Sequence, residues 1–305
     1  MSKSGSPRFD PVPIGEVAAP PFVRLPDPRS LFRVRAERFL ALAGAHKLGP
    51  YLRFMGELAS LQDSVQEGLS EPCLPSEDAR IRAREFGMPP LDRNRFLAEP
   101  AFEATLSRLI SQAGSMEMPA AARAALARVE ALDASARGAM VRAVLEDSIP
   151  ADALAEHIFT AAALQVHFAR LAARLAPTKL VPVGDGACPS CGGPPATSLI
   201  VGWDGARGTR FCACALCATL WNYVRIKCVV CGSTTGIAYQ EIENATDTVK
   251  AETCDSCRAY VKILHQHKDP SLDPIADDVS SLGLDLLMRE AGYRRGGVNP
   301  FIYGY

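Results

Sequence analysis

The chain has 305 residues, 48% of them apolar, and a formal net charge of −1. That length allows about two domains, and a charge so near zero supplies no long-range field for nucleic acid or an anionic membrane. No apolar run is long enough for a signal peptide at the N-terminus or for a membrane span elsewhere, so a cytoplasmic protein is expected.

Residues 1–28 are rich in Pro, Gly and Ser and read as an extended arm. Phe22, Val23 and Leu25 near its end are expected to lie against the body. From Asp27-Pro28 the pattern turns helical: Leu31, Val34, Phe39 and Leu42 recur at helical intervals up to Gly44. A second helix is predicted after Lys47 or Gly49, with Phe54, Leu58, Leu61 and Val65 as its stripe. Residues 71–95, Pro-rich and charged without a clear period, read as one long connection in which Cys73 is an incidental thiol. Helices are predicted again at Phe102–Ala113, Ala120–Leu132 and Ala134–Leu145. The clearest helix of all is Ala151–Leu175, bracketed by Pro150 and Pro177. His157 and His167 lie on it without a Cys or carboxylate at helical spacing, and read as buried helix residues, not ligands. Residues 29–177 therefore form an all-helical domain, with Thr178–Ala187 as the hinge beyond it.

The stretch that follows holds eight of the ten cysteines in four C-x-x-C pairs: Cys188/Cys191, Cys214/Cys217, Cys228/Cys231 and Cys254/Cys257. Adding forty to each position of the first two pairs gives the last two, so the array is a tandem repeat. Each unit, 186–227 and 228–268, carries one complete four-cysteine set. Gly192 and Gly232 follow the first pair of each unit, where glycine permits the tight turn that aims both sulfurs at one point. Two such turns facing each other form a tetrahedral sulfur cage suited to zinc or a single iron. A disulfide framework belongs mainly to small secreted chains, and a thioredoxin-like redox pair does not account for four pairs in register. Cys212 is extra to the pattern; the forty-residue offset favours Cys214 as the ligand.

Strands are expected at Ser198–Trp203 and Ile237–Ile242, and after the second pair of each unit at Leu220–Ile226 and Tyr260–Leu264. This is a rubredoxin-like or zinc-ribbon layout, in units too small for a core of their own, so that a bound metal supplies what the core cannot. After Asp269-Pro270 a helix carrying Ile275, Val279, Leu282, Leu286 and Leu287 is predicted to run to Gly292. The tail YRRGGVNPFIYGY is expected to lie against the body, and residues 269–305 form the final segment. The fold class is α+β.

Three stretches together resemble the FdhE family of formate dehydrogenase accessory proteins: PPFVRLPDPRSLFRVRAERFLALA, the eight-cysteine array, and DPIADDVSSLGLDLLMREAGYRRGGVNPF. The resemblance covers nearly the whole chain, least clearly residues 70–95. It implies a cytoplasmic, non-enzymatic protein needed for active respiratory formate dehydrogenases that are exported by the twin-arginine route. It also implies binding to their catalytic subunits before export, and iron carried in rubredoxin-like sites. All four motifs match at the eight cysteines named, giving two metal ions, with iron favoured and zinc the alternative.

The residues themselves agree by exclusion. No nucleophile triad, Gly-rich phosphate loop or HExxH motif appears, and four cysteines saturate a tetrahedral ion. An iron electron carrier acting on the same enzyme is the alternative function. A nucleic-acid-binding ribbon ranks last, because residues 186–268 hold eight basic side chains against six acidic ones. The metal units are expected to project from the helical body on 178–187 and 269–274 and to meet the partner.

Overall fold

The computed structural model describes residues 20–243 and 246–302. Most of the arm, 1–19, and the last three residues of the tail lie outside them. The helices are α1 (Pro28–Leu42), α2 (Gly49–Ser64), α3 (Glu77–Glu85), α4 (Pro100–Ala113), α5 (Ala120–Glu130), α6 (Ala134–Leu145) and α7 (Leu154–Ala172). Asp27 caps α1 by accepting from the Arg29 amide, and Pro28 opens it. α1 and α2 form an antiparallel pair, and α7 lies at the centre of the domain, buried along most of its length. His157 and His167 are both buried on it.

α3 falls in the stretch read as a loop, and the difference has a physical cause. The helix buries no residue, so no apolar period marks it in the sequence. It is held instead by its ends: Ser76 caps it through the Ala79 amide, acids occupy its first turn, and Arg82 and Arg84 its last.

The strands are β1 (Val23–Arg24), β2 (Pro195–Ile200), β3 (Arg210–Cys214), β4 (Leu220–Tyr223), β5 (Ile237–Gln240), β6 (Val249–Cys254) and β7 (Ala259–Leu264). They form one continuous sheet in the order β1-β4-β3-β2-β7-β6-β5, so the two cysteine units share a sheet. Within each unit the pairing is antiparallel; the joint between units is the parallel pair β2–β7, Ser198 opposite Ile263 and Leu199 opposite Leu264. The end of the arm joins this sheet, Val23 opposite Trp221.

The helix predicted from Ile275 to Gly292 is two pieces, α8 (Ala276–Ser280) and α9 (Leu282–Glu290). At Ser281 the hydroxyl bonds back to the Asp277 carbonyl at 2.6 Å, a side-chain bond that competes with helix continuation. β8 (Arg294–Arg295) then pairs with β7, and the tail crosses β2, the Val298 amide donating to the Pro195 carbonyl at 2.9 Å. Tyr51 on α2 donates its hydroxyl to the Phe301 carbonyl at 2.5 Å.

Buried ion pairs tie the C-terminal segment to both neighbours. On α1, Arg35 meets Asp273 at 3.2 Å and Arg38 meets Asp277 at 2.6 Å. On β7, Lys262 lies 2.5 Å from Asp285 and 3.2 Å from Asp278, and Arg295 bridges the same two carboxylates. Two cations face two anions there, which keeps the cluster neutral away from water.

The metal units do not both project from the helical body. The cysteines of the first unit belong to the same hydrophobic core as α1, α2, α4 and α7. The expectation of two ribbons standing off on hinges is corrected for that unit.

Candidate metal centres

The structure gathers Cys188, Cys191, Cys214 and Cys217 in one place and Cys228, Cys231, Cys254 and Cys257 in another, the sulfurs of each set within 4.8 Å of one another. Each set is built by two turns. In the first, the Gly192 amide returns to the Cys188 carbonyl and the Cys188 amide bonds to Gly193 O, both at 2.8 Å. Gly232 with Cys228, and Cys228 with Ser233, repeat these bonds at 2.9 and 2.8 Å. Gly192 and Gly232 have φ of 79° and 75°, a region open to glycine at no steric cost. The second turn of each unit uses the same region at Ala218 and Arg258, φ 55° and 54°, with side chains present.

Across the cages Cys188 and Cys217 lie 3.5 Å apart and Cys191 and Cys214 3.4 Å. In the second set both corresponding distances are 3.8 Å. None is a disulfide, whose sulfurs sit about 2.0 Å apart. Four sulfurs about 2.3 Å from a central ion stand about 3.8 Å from each other in a regular tetrahedron, so both sets suit a zinc or single iron ion, the first after slight expansion.

The thiols show why a cation belongs there. Burial pushes the Cys188 thiol well above its ordinary pKa, and the surrounding sulfurs do the same to Cys191. Cys214 is held well below, because the thiols of Cys188, Cys191 and Cys217 donate to it. In the second set burial raises Cys228 to about 12. Burial acts upward on Cys254 too, but the Cys257 and Ser256 amides and the neighbouring thiols outweigh it and bring it to about 7. In each cage the first cysteine of the second pair, Cys214 or Cys254, thus ionises readily, while Cys188 and Cys191 in one and Cys228 and Cys257 in the other resist ionisation. A divalent ion removes that resistance.

The surroundings of the two cages differ. All four cysteines of the first are buried; Cys231 of the second is exposed and Cys257 half-buried. Residues 89–95 lace the first turn, the Leu91 amide donating to Ser190 O at 2.9 Å and the Arg93 amide to Cys191 O at 3.1 Å. Arg93 in turn pairs with Asp147. From α7, Gln165 donates to the Ala215 carbonyl in the opposing turn at 2.8 Å. Inside the first cage the Thr219 hydroxyl lies 3.2 Å from the Cys217 sulfur and donates to Ser190. Forty residues on, these two hydroxyl positions are Ala259 and Val230.

Cys212 joins neither set: it sits on β3 with its sulfur 3.6 Å from the Ser198 hydroxyl. Cys73 is exposed at the rim of an apolar groove of about 740 Å³ beside α3. Sequence reasoning missed Arg93, Gln165 and Thr219, which have no spacing relation to the cysteines. The count of eight basic against six acidic side chains in residues 186–268 includes Arg210, Glu252 and Lys262, and all three are buried in pairs, Arg210 with Glu252 at 2.9 Å.

Comparison with known proteins agrees along the whole length. The family descriptions FdhE N-terminal, FdhE central domain and FdhE C-terminal domain match residues 20–185, 187–225 and 226–302. The chain belongs to the FdhE family. An FdhE homolog of Rhizobium meliloti is 46% identical over 298 residues, 97% of each chain. One from Proteus mirabilis is 33% identical, over 93% of this chain and 92% of its own. The crystal structure of the FdhE protein from Pseudomonas aeruginosa superposes with a TM-score of 0.82 at 34% identity, covering 93% of this chain and 99% of that one. Among the described residues no helix is long and apolar enough to cross a membrane.

Proposed function

We propose that this FdhE chain is a cytoplasmic accessory protein that binds the catalytic subunit of a formate dehydrogenase and is needed for its activity, without catalysing a reaction itself. The observation that carries this reading is the closed form of both cages. Four sulfurs fill each tetrahedron and leave no coordination position for a substrate. In this reading the eight cysteines hold two ions, iron by preference and zinc as the alternative, in units 186–227 and 228–268. The ions contribute folding free energy to segments too small to fold alone.

Exposure of Cys231 supports a second reading, an iron site that exchanges electrons with the same enzyme. One experiment separates them. A strain lacking the protein is complemented with the iron-loaded or the zinc-loaded form, while subunit binding and formate dehydrogenase activity are measured together. Rescue by both forms supports the binding role. Binding retained with activity lost in the zinc form transfers the function to iron chemistry, and absence of binding in either form overturns both readings.

A further inference from the structure

The two metal units match strand for strand: β2, β3 and β4 correspond, forty residues on, to β5, β6 and β7. Their outer neighbours do not match. β2 has a strand on its far edge, because β7 lies parallel to it, and it is buried throughout. β5 is the equivalent of β2, yet among the described residues its only neighbour is β6, and it ends the sheet. Three of its four residues are exposed.

The register shows which backbone groups this edge offers. The Asp255 amide donates to Gly236 O at 2.9 Å, and Ile237 stands opposite Cys254. Alternation then turns the N–H and C=O of Ala238 and Gln240 towards β6 and those of Ile237 and Tyr239 outward. Judged by their cross-strand partners, Tyr239 and Gln240 take the places that Ser198 and Leu199 hold on β2, where β7 is seated; the one-residue departure from the forty-residue offset comes from the irregularity in β2 between Pro195 and Thr197. Natural edges are commonly blunted by charge or proline, but Ile-Ala-Tyr-Gln has neither.

Apolar side chains flank the edge. Tyr239 reaches the link between the units, its hydroxyl 3.2 Å from the Glu252 carboxylate and 3.4 Å from Arg225 O, where Val224 and Ile226 stand exposed on either side. Ile242, also exposed, follows β5 and lies against Gly283 of α9, which carries the exposed Leu286 and Leu287.

We propose that the β5 edge seats one extended segment of a partner polypeptide, added parallel to β5 as β7 is added to β2. The segment supplies backbone groups to Ile237 and Tyr239 and apolar side chains to the flanking residues. Its source, the formate dehydrogenase catalytic subunit, rests on the accessory-protein reading. A second copy of this chain cannot add its own β7, which is already paired on both edges; it offers only its own β5 edge, which a two-fold pairing would run antiparallel, unlike the parallel β2–β7 joint.

The test uses the full chain and the purified catalytic subunit. Tyr239→Ala removes the side chain and keeps the outward amide; Tyr239→Pro removes both, and proline is tolerated at an edge position whose amide makes no bond within the sheet. Affinity is expected to fall about tenfold further in the proline variant than in the alanine variant, the worth of one backbone bond with its steric exclusion. Amide exchange at Ile237 and Tyr239 in the unaltered protein should slow on complex formation, a readout that stands even if the proline variant fails to fold. Equal affinity of the two variants with unprotected amides overturns the proposal. Protection that appears in the protein alone, with dimers in light scattering, assigns the edge to self-association and also overturns it. Failure of the unaltered protein to bind the subunit is the separate failure of the accessory-protein reading.

Discussion

The two cages are spelled alike and built alike, yet one is wholly inside the molecule's main core and the other opens to solvent at Cys231, with Cys228 and Cys254 still covered. The turns, their hydrogen bonds and their left-handed residues repeat at an offset of forty. What differs is supplied from elsewhere in the chain. Residues 89–95, Gln165 and the tail around Val298 close over the first cage, while Cys231 of the second meets solvent. A local code therefore specifies where sulfurs converge, and long-range packing specifies how far the cage is open to solvent.

The sharpest way to break this comparison is to remove one cage at a time. Replacing Cys188 and Cys191 with Ser should cost one ion and carry the helical domain with it, since a structural ion is worth on the order of 10 kcal/mol and this one lies inside the shared core. Replacing Cys228 and Cys231 should cost one ion and loosen the second unit while the helical signal stays. Metal content measured beside far-ultraviolet circular dichroism during a thermal melt decides. Equal collapse, or equal tolerance, of the two variants would mean that burial does not separate the cages.

A smaller effect tests what anchors the exposed unit. Lys262 on β7 stands between Asp278 and Asp285, fully buried with them. Lys262→Met leaves two buried carboxylates to Arg295 alone, and stranding a buried charge costs about 3–5 kcal/mol. Urea denaturation should show that loss, with both ions retained at low denaturant. An exposed pair such as Arg33–Glu37 makes the control, because it contributes at most about 0.5 kcal/mol. If Lys262→Met costs no more than that control, the Lys262 pairs do not anchor the second unit, and the β2–β7 joint and the metal hold it in place.

How much of this was legible in the sequence follows the same division. The pairing of cysteines into two sets was readable because the offset is a property of the chain itself. Most helices were readable because their stripes face one core, as Phe102, Leu106 and Leu109 do on α4. α3 was hidden because it buries nothing. β3 and β6 were hidden because they carry the charges Arg210 and Glu252, and only the fold shows that these charges face each other in a buried pair. The parallel joint of β2 with β7 rests on two residue pairs from strands far apart in sequence, too short a register to leave a signal. Two of the stretches that carried the family resemblance prove to be physically joined: Arg35 and Arg38 from the first bind Asp273 and Asp277 in the last. Their distinctive acids and arginines are internal ties.

The smallest effect concerns acid, and it again sets the two regions side by side. His167 on α7 is packed among Phe96, Phe102 and Phe168, and His265 follows β7 in the second unit. Burial lowers both to about 4, with Arg170 adding to the effect at His167. Glu99 lies 3.3 Å from the His167 Nε2. A histidine whose pKa falls on folding holds its proton better in the unfolded chain. Its contribution is therefore complete above the ordinary value of 6.5 and is lost as pH falls towards about 4. At about 1.4 kcal/mol per pH unit, His167 accounts for a loss of about 2–3 kcal/mol across that window. His265 is half-exposed, and solvent screening leaves it a lesser share. Urea midpoints for the unaltered protein and His167→Gln, measured from neutral pH down to about 4.5, the acid side of an ordinary histidine, should converge as the pH falls. Protonation of the cage thiolates also weakens the protein in acid, but it acts on both forms and cancels in their difference. Parallel midpoints would place the acid sensitivity in the sulfur cages, and the exposed second cage would then be expected to release its ion first.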